Sequence, residues 1–143
     1  MKTLPLLSFL FLTGCCATRP VTKPVAGIRA ETLWKSTRSW DGQLLPAYPA
    51  GQPEVTILRI TIPPGTALPE HQHPVINAGV LLEGELTVRT EHGKVIQLRA
   101  GDALSEVVNT WHAGANEGKI PAVILVVYAG TDGMPVSLPR PKE

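Results

Sequence analysis

His71-Gln72-His73 is the segment whose residue types and spacing are best suited to chemistry. On a strand, side chains two residues apart point to the same face. Two imidazoles so placed can converge on one cation, with nitrogens at ~2.0–2.1 Å from a first-row metal. An HxH pair alone also fits two interior histidines with no ligand, so its surroundings decide. Two further histidines follow, His92 and His112. His92 sits in Glu91-His92-Gly93-Lys94, a hairpin-turn sequence expected at the surface, and takes no role. Glu106 lies six residues before His112, the same strand parity, so both side chains can face one interior. Glu70, next to His71, has the opposite parity and is expected to face outward.

The elements that must position these groups read as strands. Val55 to Ile62 is rich in β-branched residues and stops at the turn Pro63-Pro64-Gly65. Val75 to Leu82 is a second apolar run, ended by Gly84. Glu85 to Thr90 alternates polar and apolar, the period of a half-buried strand, and Val95 to Leu98 returns after the hairpin. Ala100-Gly101-Asp102 turns again, and Ala103 to Val108 and Ala122 to Tyr128 are further strands. The tail from Thr131 carries three prolines and is expected to be loose or wrapped on the surface. No segment has the pattern of an amphipathic helix longer than about two turns. Many short strands between Gly and Pro turns indicate an all-β sandwich or barrel.

Both histidine segments lie in longer spacing patterns. Gly65, five residues, His71-x-His73, three residues, Asn77, six residues, Gly84 resembles the first cupin motif at every spacing. Gly101, five residues, Val107, one residue, Asn109, two residues, His112, three residues, Asn116 resembles the second. The resemblance covers roughly Val55 to Tyr128. It implies a single-domain cupin double-stranded β-helix, or jelly-roll barrel, with a metal in the barrel mouth held by His71, His73 and His112. Three positions depart from the pattern: Asn77 replaces the usual Glu, and Val107 and Asn109 replace Pro and Gly. Asn tolerates left-handed backbone nearly as Gly does, so Asn109 suits its turn. Asn77 changes the site more, because an amide oxygen is a weaker, neutral ligand. Three histidines and Asn77 would leave a divalent site with two net positive charges, favouring an anionic ligand. Glu106 is the alternative fourth ligand, since many cupins carry a Glu just before the Pro of the second motif. Trp111 precedes His112 and either shapes the pocket wall or packs in the core. Trp34, Trp40 and Tyr48 lie in an N-terminal arm and read mainly as packing.

The beginning of the chain carries a different signal. Lys2 is followed by an apolar stretch from Leu4 to Leu12, the pattern of an export signal. That stretch is too short for a membrane span, which needs ~20 residues. Leu12-Thr13-Gly14-Cys15 resembles the bacterial lipobox, which implies a signal peptide over 1–14 and lipidation of Cys15. Residues 15–27, with Pro20 and Pro24, read as a tether, and 28–143 as the barrel domain with its Pro-rich tail. Cys16 rather than Asp follows Cys15, which by the usual enterobacterial sorting pattern points to an outer-membrane anchor facing the periplasm. The membrane is a partner through this lipid only.

The 143-residue chain has a formal net charge of +1 and no basic run, which argues against a nucleic-acid surface. The adjacent cysteines offer no CxxC pair, and no serine has a plausible His/Asp set. Phosphate-loop and dinucleotide motifs are absent. Two functions are favoured over a third, a structural envelope protein whose barrel has lost its metal, against which the presence of all three histidines argues. One is a metal-dependent enzyme of oxygenase, isomerase or lyase type acting on a small molecule, using Fe, Mn, Ni, Cu or Zn. The other is a non-catalytic periplasmic cupin that binds a small ligand. A homodimer is common for this architecture. Which residues would be catalytic is left open.

Overall fold

Strand periodicity sorts the side chains of the first long strand. In β1 (Pro53–Ile62), Leu58, Ile60 and Ile62 turn inward, while Val55 and Ile57 face out and stay largely exposed. The same alternation buries Ala122, Ile124, Val126 and Tyr128 of β8 (Ala122–Thr131). A computed structural model describes residues 27–142, and strands β1 to β9 are its regular elements. No helix occurs among the described residues. The expected signal peptide, Cys15 and most of the expected tether lie outside the described residues. The compact unit that carries the strands is Thr32–Glu143.

The strands form two antiparallel sheets. One has the order β1-β8-β3-β6, with β3 at Ile76–Glu83 and β6 at Ala103–Ser105. The other has the order β5-β4-β7-β2-β9. Its members are β4 (Glu85–Thr90), β5 (Val95–Arg99), β7 (His112–Ala115), β2 (His71–Gln72) and β9 (Leu138–Pro139). Ile62, Leu81, Leu104, Ile124 and Val126 from the first sheet close on Leu86, Val88 and Leu98 from the second. This is the expected jelly-roll barrel.

One expectation about elements is corrected, and a second is resolved between its two alternatives. The strand expected over Ala103 to Val108 stops at Ser105. Asn109 takes left-handed backbone (φ 53°), and its N–H bonds to the His73 carbonyl at 2.9 Å, so the chain turns there. Of its two alternatives, the proline-bearing tail is wrapped on the barrel surface and not loose. Met134 and Val136 pack against the core, and β9 pairs with β2, placing Leu138 opposite Gln72 and Pro139 opposite His71. Proline is tolerated at this position because β9 is an edge strand.

Candidate metal centre

The backbone register brings the histidines together. Gly65 N–H bonds to the Asn116 carbonyl at 2.9 Å and Leu68 N–H to the Gly114 carbonyl at 2.8 Å. This ladder continues into β2, where His71 pairs with His112 of β7. His73 lies two residues on from His71. The ring centroids are 4.5 Å apart for His71 and His112, 4.9 Å for His71 and His73, and 5.0 Å for His73 and His112. Their ligand atoms all lie within 4.8 Å of one another, so these three residues could hold a metal ion.

Each ring is oriented by a main-chain carbonyl. His71 Nδ1 is 2.8 Å from the Pro69 oxygen, His112 Nδ1 is 2.8 Å from the Thr110 oxygen, and His73 Nδ1 is 2.7 Å from the Val136 oxygen. A carbonyl only accepts, so Nδ1 must carry the hydrogen in all three rings. In the neutral imidazole that leaves the lone pair on Nε2, the state a metal ligand requires. Burial also favours the neutral form. It pushes the His71 and His112 pKa values down, and it takes His73 from 6.5 to about 3.

The rings line an interior cavity of about 60 Å³ shared with Asn77, Glu106 and Tyr128. Asn77 is buried, and its Nδ2 has no hydrogen-bond partner. Glu106 lies outside the three-histidine group. Its Oε1 accepts from Trp40 Nε1 at 2.5 Å and from the Val107 N–H at 2.9 Å. Although the residue keeps some exposed surface, burial of its carboxyl raises its pKa, against the lowering effect of those two donors and of His71. Tyr128, the cross-strand neighbour of Asn77, is also raised, by burial and then by Glu106. A second, more open cavity of about 280 Å³ adjoins the first and shares Ile60, Leu68, His71, His73 and Tyr128 with it. A larger surface cleft of about 650 Å³, bordered by Arg99, Glu117 and Lys119, shares no residue with the histidine cavity.

The structure therefore brings His71, His73, His112, Asn77 and Glu106 to one cavity. His92 is exposed in its hairpin turn, and Glu70 faces outward in an ion pair with Arg140 at 2.8 Å. Trp111 neither lines the cavity nor enters the core: it is half-buried, with the Arg140 guanidinium 5.4 Å from its ring. Tyr48 is exposed rather than packed. Sequence reasoning missed Tyr128, Val136 and the role of Trp40. The strand parity of Tyr128 could have flagged it. Val136 acts through its carbonyl, which no side chain reveals.

A barrel of two antiparallel sheets with three histidines at its mouth defines the cupin architecture. Residues 58–128, just under half of the chain, match the family described as Cupin domain. A conserved Klebsiella pneumoniae protein with a double-stranded β-helix domain superposes with TM-score 0.53 at 21% identity, covering 78% of this chain and 100% of that one. DMSP lyase DddQ from Ruegeria pomeroyi gives 0.53 at 24%, covering 62% and 45%. An oxalate oxidase gives 0.46 at 28%, covering 52% and 41%. The chain thus spans less than half the length of the lyase and oxidase structures. No curated protein matches the chain.

Proposed function

We propose that this chain is a metal-dependent cupin acting on a small molecule, held at the bacterial envelope by a lipid on Cys15. The observation that carries the metal reading is the common orientation of His71, His73 and His112, each giving Nδ1–H to a carbonyl and leaving Nε2 free. A divalent Fe, Mn, Ni, Cu or Zn ion there would supply Lewis acidity or, for redox-active metals, dioxygen activation.

The remaining groups divide the work. The three histidines hold the ion, with Asn77 or Glu106 as the further ligand. With Oε1 engaged by two N–H donors, Glu106 keeps Oε2 for a ligand or a proton. Trp40 and Val107 hold that carboxylate in place. The replacement of an acidic motif residue by Asn77 favours a second reading, a cupin that binds its small ligand without turning it over.

Elemental analysis of the full chain purified without chelators tests the metal reading. Near one equivalent of a transition metal is expected, and it should be lost in His71→Ala/His73→Ala. Absence of metal, including after Fe, Mn, Ni, Cu and Zn are each offered, would overturn it. The envelope reading rests on the apolar stretch and lipobox-like Leu12-Thr13-Gly14-Cys15. Cys15→Ser is expected to abolish lipid labelling and release the protein from membranes. Unchanged membrane partitioning would defeat it.

A further inference from the structure

Two of the three histidine rings are oriented by the carbonyl two residues before them, His71 by Pro69 and His112 by Thr110. One residue lies between ring and carbonyl in each case, Glu70 and Trp111, and neither lines the histidine cavity. Both are held by a single side chain. Arg140 Nη1 donates to Glu70 Oε1 at 2.8 Å, and the guanidinium carbon lies 5.4 Å from the centre of the Trp111 ring, within reach of a cation–π contact. The Arg140 N–H also donates to the Glu70 carbonyl at 3.0 Å, so Glu70 is tied through main chain and side chain together. Glu91 joins the same group. Its Oε2 is 3.5 Å from Arg140 Nη1, and its N–H donates to the Trp111 carbonyl at 2.9 Å.

The third ring is reached along the chain. His73 is oriented by the Val136 carbonyl, and only Ser137, Leu138 and Pro139 separate Val136 from Arg140. Leu138 and Pro139 are fixed in β9 opposite Gln72 and His71, and the locked φ of proline leaves little slack. A shift at Arg140 is therefore passed to Val136. An exposed ion pair alone holds little, and the Arg140 and Glu70 side chains are 44% and 38% exposed. Here one planar guanidinium serves two carboxylates and an aromatic face at once, a geometry that arginine supplies and lysine does not. Groups that orient a metal histidine act on affinity without touching the ion.

We propose that Arg140 is a positioning residue of the metal centre. From outside the barrel it fixes Glu70, Trp111 and the tail, and through them the three carbonyls that aim His71, His112 and His73. This rests on the metal reading and adds to it a residue that does not line the cavity.

Chelator competition on the full chain loaded with Co²⁺ tests the proposal, with the visible d–d bands recorded on the same samples and His71→Ala/His73→Ala as the blank. Arg140→Gln is expected to weaken Co²⁺ about fivefold, below the roughly tenfold or more that follows loss of an orienting partner itself. It should also alter the d–d bands, which report ligand geometry. By charge alone, removing a cation near the site would tighten the metal, so the expected sign is one that positioning produces and electrostatics does not. The thermal midpoint of the metal-free variant should stay within about 4 °C of the parent, the range of a surface substitution. Arg140→Lys keeps the charge without the planar stack and should recover part of the loss. Glu70→Gln should weaken Co²⁺ in the parent and add nothing in Arg140→Gln, because the partner is already gone. Affinity changed less than twofold in Arg140→Gln, with unchanged bands, overturns the proposal and leaves the metal reading standing. Weakened metal matched by a larger loss of metal-free stability also overturns it, since Arg140 would then be a general staple of the fold. A parent that takes up no metal overturns both.

Discussion

Glycines 84 and 93 have nearly the same backbone, φ +75° and +76°, but different surroundings. A Cβ on Gly84 would lie 2.5 Å from the Pro121 oxygen and 2.9 Å from the Ala122 Cα, whereas one on Gly93 meets nothing within 4 Å. Left-handed backbone at a non-glycine residue costs about 1–3 kcal/mol, and overpacking against backbone adds about as much again. Gly84→Ala is therefore expected to destabilise the fold by about 3 kcal/mol and Gly93→Ala by about 1 kcal/mol. Chemical denaturation of both variants checks this, and equal midpoints would contradict the steric account. The motif position of Gly84 thus has a physical cause: β3 leaves the first sheet there and β4 begins the second, hard against the segment that leads into β8. Asn109 shows the converse. Its left-handed backbone, expected from its place in the second motif, is carried by an exposed residue with a tolerant side chain.

At the scale of elements, the sequence was most informative where periodicity and turn chemistry agreed. The apolar alternation of β1 and β8, the Glu91-His92-Gly93-Lys94 hairpin and the PPG stop at Gly65 were all legible, and with them the barrel. The histidine cluster was legible too, because i, i+2 parity and motif spacing both encode the register that sets His71 opposite His112. Glu106 reached the expected cavity by a different route. The chain turns between it and His112, so strand parity is not what aims it; its hydrogen bonds to Trp40 and Val107 are. The tail's prolines argue against a central strand and say nothing against an edge one, so the sequence left it between loose and surface-wrapped. Its contribution is main-chain, through β9 pairing and the Val136 carbonyl that orients His73. Deleting residues 134–143 should lower the affinity of the histidine site for metal by about 10–100-fold, the usual effect of losing a partner that orients a ligand. Competition against a chelator of known affinity measures it. A truncated chain that holds metal within twofold of the parent would show that the tail is a cover and not part of the site.

For the whole molecule, the cavity couples stability to pH. In the metal-free chain, burial lowers the pKa of His71, His73 and His112 relative to the unfolded chain, and His73 falls from 6.5 to about 3. Between these limits the unfolded state binds more protons than the folded one, so stability rises with pH and is lost on acidification. For His73 the window runs from about pH 6.5 down to about 3. Glu106 acts in the opposite direction. Its pKa is raised above 4.5 in the fold, so its contribution is present below that value and is lost as pH rises through the folded pKa. Three histidines oppose one carboxyl over the range from about 6.5 to 4.5, so the histidines set the sign. The thermal midpoint of chelator-treated protein should therefore fall as pH is lowered from 7 to 4.5. His73→Phe, which fills the space without a titrating group, should reduce that slope. Glu106→Gln should steepen it by removing the opposing group. A parent midpoint that is flat or rises over this range would mean that the buried rings take up protons in the folded state, and the neutral, Nε2-free histidines on which the metal reading depends would have to be abandoned.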